Sequence, residues 1–357
     1  MVLTNDQSLL TQVKLMNKKP IHLALQGGGA HGAFTWGVLD YLLEDSRLQI
    51  EAISGTSAGA LNALAMAPHY SAGNIEGARE GLHNLWRSMS EKSVLSPYNY
   101  SGVSPIFHQW GSIISWSQLF FGGSPYQNPI FNADFLETIL EEQIDFERLS
   151  NDCAGIRLFV SATNVLTNRL RIFSNVELSV KVLLASSCLP KVHKAVEIDG
   201  EHFWDGGFMG NPVLEPLVKD GGANDVLIVQ VNPLHIKTVP TSPIEIAERM
   251  ETIGFNATLS REIRHVAQME KLIESGDISS STDFGKHLHL LHSEERMGAY
   301  SAFTKYDMSW EFLTTLRDLG RATAKEWLDK NYADIGKKNT LNLEEWEPTY
   351  QQPICKI

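Results

Sequence analysis

An α/β fold with at least part of its sheet parallel is what this sequence predicts, on three observations. The short apolar run at residues 21–25 passes through glycines into a segment with helix-like periodicity. The run "LQIEAISG" at 48–55 does the same through a second tight turn. Further short apolar runs then recur at 156–164, 169–174 and 225–232. A repeated strand, tight turn and helix is the pattern of a sheet layered with helices.

The elements follow in order. Residues 1–20 form a lead with weak patterning, flexible or loosely helical. "IHLAL" reads as a buried strand, and Phe34, Trp36, Val38, Leu39, Leu42 and Leu43 recur at spacings near three and four, predicting a helix over Ala33–Glu44 packed on a sheet. "HFWDGG" at 202–207 reads as a strand ending in a turn. From Pro243 to about Ser275 and from Ser309 to Lys330 the pattern is charged and helical, which predicts a helical extension packed on the core. The organisation expected is therefore a lead at 1–20, an α/β domain at 21–235 and a helical C-terminal part at 236–357.

Residues 93–133 stand apart. They contain no Asp, Glu, Lys or Arg while aromatics recur, including Trp110, Trp116, Phe120 and Phe121. Two readings stay open, a buried meander between core elements and a lid or acyl-binding wall.

Composition excludes several classes. At 357 residues, with 43% hydrophobic and 20% charged residues, the chain is long enough for a sizeable core. A formal charge of −12 with no Lys or Arg cluster argues against a nucleic-acid partner. Cys153, Cys188 and Cys355 are too scattered for a disulfide framework or a thiolate metal site, and no cofactor is implied. The N-terminus lacks a basic start with an apolar run, and nothing approaches transmembrane length, so a cytoplasmic location is the default expectation, with export by another route open.

Chemistry concentrates in three motifs. Gly27, Gly29 and Gly32 satisfy G-x-G-x-x-G after a strand and before a helix, which suits a dinucleotide pyrophosphate or an oxyanion equally, since bare amides at a helix N-terminus stabilise either. "GTSAG" at 55–59 is a G-x-S-x-G turn in which Gly55 and Gly59 allow a bend sharp enough to present Ser57 above the sheet; a plain helix cap is the alternative for Ser57. Both turns emerge at the carboxyl edge of a parallel sheet, so they share one crevice. A base for Ser57 comes either from a histidine, with His235, His265, His287, His289 and His292 placed by order alone, or from a carboxylate acting directly, for which "WDGG" supplies Asp205 followed by Gly206 and Gly207. An aspartate before two glycines is also a common turn former.

With these residues in view, the chain resembles the patatin-like phospholipases. "GGGAHG", "GTSAG" and "DGG" stand in that family's order, and the likeness runs from about Ile21 to Val231. The resemblance implies a three-layer α/β/α sandwich around a central mixed, largely parallel sheet, and metal-free hydrolysis of lipid acyl esters by a Ser–Asp dyad. Carried over by position, Ser57 is the nucleophile, Asp205 the base, and the amides of Gly27, Gly28 and Gly29 the oxyanion hole. The implied substrate is a phospholipid or lysophospholipid ester; a protein activator is left open, and membrane contact would depend on apolar burial more than on charge. A lipid-binding protein of the same fold with little turnover is the alternative, and a dinucleotide-binding oxidoreductase a weaker one.

One departure from the family pattern falls in the glycine loop, where His31 stands in place of the usual Arg or Lys. A histidine there is either a group titrating near pH 6.5, making loop charge pH-dependent, or a locally packed ring. Lys191, His193 and Lys194 likewise replace apolar residues, either as solvated charges or as contacts to phosphate at the mouth.

Overall fold

The sheet is organised around β1 (Lys19–Leu25), which pairs in parallel with β2 (Leu48–Gly55) on one side and β7 (Asp225–Val229) on the other. β2 continues in parallel to β3 (Arg157–Asn164), and β7 to β8 (His287–Leu291). β3 also pairs antiparallel with β4 (Arg169–Ser174) and β6 (Glu201–Asp205), and β6 with β5 (Val196–Ile198). The result is an eight-stranded mixed sheet with a parallel centre. The computed structural model describes residues 18–93, 124–127, 134–151, 155–277 and 286–346. Most of the aromatic segment 93–133 lies outside the described residues.

The helices are α1 (Gly32–Asp45), α2 (Ala58–Ser71), α3 (Ile75–Lys92), α4 (Asp134–Gln143), α5 (Phe146–Asn151), α6 (Val180–Ser186), α7 (Glu215–Lys219), α8 (Pro243–Glu274), α9 (Glu294–Met297) and α10 (Trp310–Asn331). Strand alternation sorts the core into two layers. Leu23, Leu25, Ile53, Leu227 and Val229 point to a large cluster shared with α1, α2, α3 and α10, which includes the fully buried Phe34, Trp36 and Trp86. Ala24, Ala52, Val226 and Ile228 point the other way, onto Leu217 of α7 and Leu259 and Ile263 of α8. Parallel strands buried on both faces need helices on both faces, and each large apolar side chain so buried contributes about 1.5–3 kcal/mol.

The C-terminal segment differs from the expectation of a helical extension. It contains the edge strand β8, and α8 forms the second helical layer. The charged residues of α8 masked this because only a narrow stripe of it is apolar. Ser242 and Glu245 form a capping box, with Pro243 as the first residue of the helix, and these fix where it starts. α10 lies against α1 through glycine: a Cβ on Gly37 would stand 1.9 Å from the Arg317 carbonyl oxygen, and one on Gly320 2.0 Å from that of Phe34. Among the described residues no helix is long and apolar enough to cross a membrane.

Candidate active site

β1 and β2 end side by side, Leu25 opposite Gly55, so the loops that follow them meet at the carboxyl edge of the sheet. β7 flanks β1 there and closes the crevice on its other side. The glycine loop runs through Gly27 and Gly28 into a 3-10 turn at Gly29–His31, and Gly29 sits at φ 59°, a left-handed conformation that favours glycine. A Cβ on Gly27 would stand 2.8 Å from the Ser57 Cβ, which puts the loop directly against the serine turn.

Ser57 has φ 51° and ψ −124°, a conformation that costs about 1–3 kcal/mol for a non-glycine residue. The turn is held in that shape by its surroundings. The Ser57 amide donates to Ser186 Oγ at 2.9 Å, the Thr56 hydroxyl donates to the Gly210 carbonyl at 2.8 Å, and Gly59 is pressed so close to β1 that a Cβ would lie 2.2 Å from the Leu25 carbonyl oxygen. Ser57 begins α2 without its side chain capping the helix, so the cap reading does not describe it.

Asp205 ends β6, whose last residues pair with Ala162–Asn164 of β3 and so lie beyond the end of β2. It is 1% exposed. Burial pushes its carboxyl up to about 7, against hydrogen bonds from the Gly207 amide, at 2.7 Å, and from the Ser57 hydroxyl, which pull it down; Glu251 adds repulsion and Lys305 attraction. Asp205 is thus a turn former and a neighbour of Ser57 at once. A carboxylate with its proton affinity near neutrality is matched to exchanging a proton with a hydroxyl at physiological pH.

The loop amides divide. Gly27 donates to Asn211 Oδ1 at 2.6 Å, and its carbonyl accepts from Asn232 Nδ2 at 2.8 Å. The expectation that Gly27 contributes to the oxyanion hole is corrected on this ground, since its amide is occupied. The Gly28 and Gly29 amides donate to no acceptor among the described residues. They stand beside α2, whose N-terminal dipole favours negative charge near Ser57.

His31 is 2% exposed, its Nε2 lies 2.7 Å from the Thr304 hydroxyl, and burial with the nearby Lys305 charge pushes its pKa down to about 3. It stays neutral between pH 6 and 8, so the titrating reading of His31 is corrected in favour of the packed one.

None of the histidines considered as a base takes that place. His289 is buried but pairs with Asp225 at 2.8 Å, at the start of β7 and the far end of the sheet. His235 and His265 are exposed, and His292 leans on Glu294. The side chains of Lys191 and Lys194 are exposed, whereas burial pushes His193 down to about 4. Among the described residues no group of three or more His, Cys, Asp or Glu is arranged to hold a metal ion.

Several residues shaping the site escape sequence reasoning. Asn211 and Ser186 act across more than a hundred positions, and Gln26 anchors the loop base by accepting from the Val231 and Asn232 amides at 2.9 and 2.8 Å while donating to Asn256 of α8 at 2.8 Å. Their one local signal is a buried amide side chain following β1.

Comparison with known proteins gives the same picture. No curated protein sequence matches this chain. Among solved structures, the crystal structure of VipD from Legionella pneumophila is similar with a TM-score of 0.41 and 15% identity, over 88% of this chain and 67% of that one. The family model described as patatin-like phospholipase matches residues 23–218, more than half of the sequence, and the chain belongs to that family.

Proposed function

We propose that the protein is a serine acyl hydrolase that cleaves fatty-acyl esters of phospholipids or lysophospholipids through Ser57 and Asp205. The observation that carries this is the Ser57 hydroxyl acting on a buried carboxyl held near neutrality, with the Gly28 and Gly29 amides open beside it. Family membership supports an acyl hydrolase acting on lipid.

The steps follow from the geometry. Ser57 Oγ attacks the ester carbonyl carbon as its proton passes to Asp205. Negative charge gathers on the former carbonyl oxygen, where the Gly28 and Gly29 amides receive it; one such donor is typically worth about 10²–10³ in turnover. The tetrahedral species collapses, the C–O bond to the leaving alcohol breaks, and Asp205 returns the proton to that oxygen. Water then gives a proton to Asp205 and attacks the acyl-serine, and the second collapse frees the fatty acid and restores the Ser57 hydroxyl with that proton. Burial of Asp205 keeps bulk water from competing for its proton.

The test is fatty-acid release from mixed phospholipid micelles by the wild type, Ser57→Ala and Asp205→Asn, with a short-chain nitrophenyl ester alongside. Turnover by the wild type and background rates in both folded variants support the reading. A folded wild type inert on both substrates overturns it and favours a lipid-binding role. Activity surviving in Ser57→Ala overturns the assigned nucleophile.

A further inference from the structure

Lys305 is outside the residues that match the family and has no part in the steps above. It belongs to the 3-10 turn Ala302–Tyr306, laid directly on the turn Gly29–His31. Two contacts fix that placement. Thr304 meets the His31 ring at 2.7 Å, and the Lys305 carbonyl is pressed on Gly29, where a Cβ would come within 2.4 Å of the oxygen.

From this anchor the side chain runs inward. It is 11% exposed, and its ammonium lies 5.8 Å from the centre of the Phe255 ring. That ring in turn covers Gly207, the residue whose amide holds Asp205; a Cβ on Gly207 would meet it at 2.0 Å. One lysine thus spans from the glycine loop to the acid turn. The carboxylate within 4 Å of its Nζ is Glu251 at 3.9 Å, too long for a hydrogen bond, and Nζ makes none among the described residues. A buried ammonium so poorly paired costs several kcal/mol, which calls for a compensating interaction.

The charges around it supply one. Glu251, Glu248 and Asp205 attract the ammonium, and Glu251 and Lys305 act on Asp205 with opposite signs. His31 is neutral, and burial with Glu251 and Asp205 pushes the Tyr306 hydroxyl up, so it too is neutral. Cys188, under the acid turn, is held as a thiol, its pKa pushed up to about 12 by burial and by Asp205.

We propose that Lys305 is a positioning residue of the hydrolase site, the electrostatic partner that holds the Asp205 carboxylate charged against Glu251. The inference rests on the Ser57–Asp205 reading above. Without the ammonium, Asp205 keeps the repulsion of Glu251 and loses the opposing attraction, so it binds its proton more tightly and is a base less often at neutral pH.

The experiment is the rate of Ser57 labelling by a fluorophosphonate as a function of pH, for the wild type, Lys305→Met, Lys305→Arg and Glu251→Gln. Removing a nearby opposite charge raises a buried carboxyl by about one unit or more, so Lys305→Met is expected to move the midpoint up by about that much. Lys305→Arg restores it. In Glu251→Gln the ammonium acts on Asp205 unopposed, and the midpoint moves down, which keeps the test alive if Lys305→Met does not fold. A merely structural lysine lowers labelling equally at every pH, and an unmoved midpoint overturns the proposal. So does a defect confined to phosphate-bearing substrates, which would assign Lys305 to the headgroup. A wild type that is never labelled sinks the hydrolase reading itself, whereas a labelled wild type with fixed midpoints in the variants sinks this inference alone.

Discussion

Asn211 Oδ1 accepts the Gly27 amide at 2.6 Å from 184 positions along the chain, and this contact fixes the glycine loop against Ser57. Asn211→Ala leaves a buried amide without an acceptor, which costs about 1–3 kcal/mol. It should lower the thermal midpoint and also turnover, because a loop free to shift misplaces the Gly28 and Gly29 donors. Thermal melts and nitrophenyl ester turnover together check this, and a variant that loses stability while keeping wild-type kcat would contradict it.

The Asp205 carboxyl gives a paired prediction for activity and stability. With its proton affinity raised to about 7, the hydrolysis rate should rise through pH 7 to a plateau above it. The folded value lies above the unfolded one of about 4, so this group contributes stability fully present below pH 4 and lost as pH rises through 7. Asp205→Asn removes that loss. It should be inactive, yet melt higher than the wild type at pH 8, by an amount that shrinks toward pH 4. A gap independent of pH would refute the assignment.

Gly29 and Gly73 separate clash from strain. Both sit at positive φ, 59° and 73°, but a Cβ on Gly29 meets the Lys305 carbonyl while one on Gly73 meets nothing within 4 Å. Gly73→Ala should cost about 1 kcal/mol of stability with turnover intact. Gly29→Ala should lower turnover by about 10² or more, the usual scale for a displaced oxyanion donor. Equal effects on activity would mean the Lys305 contact does not constrain the loop.

Replacing His31 tests its neutrality. His31→Gln should leave the midpoint of the pH–rate profile in place, because the ring does not titrate in that range. His31→Arg would bury a second cation beside Lys305 and should melt several kcal/mol lower. A His31→Gln profile that moves between pH 6 and 8 would restore the titrating role.

Much of the fold is legible in the sequence because it is local. The first strand and helix, expected over 21–25 and Ala33–Glu44, are observed at Lys19–Leu25 and Gly32–Asp45. The "LQIEAISG" run is β2 to the residue, and its turn into α2 puts Ser57 in the strained backbone that G-x-S-x-G suggests. β8 was hidden because five residues, "HLHLL", stand between charged segments and carry two histidines that read as polar. Tertiary pairing with β7 makes them a strand. Gly27 looks identical to Gly28 and Gly29 in the motif, and only Asn211 tells them apart. Lys305 has no pattern at all, since its role comes from where a distant turn comes to rest.

The second helical layer has a further meaning for how the chain can be divided. The stretch that resembles other patatin-like proteins ends at residue 218, before β7 begins at Asp225. A fragment cut at that point would leave β1 as a bare sheet margin, with Ala24 and Ala52 facing water and the Gly27 anchor from Asn232 gone. The recognisable portion and the smallest autonomous portion are therefore different objects. Limited digestion should find its resistant core reaching through α8 and β8, with the chemistry in the first half of the chain and its scaffolding returned to it by the second.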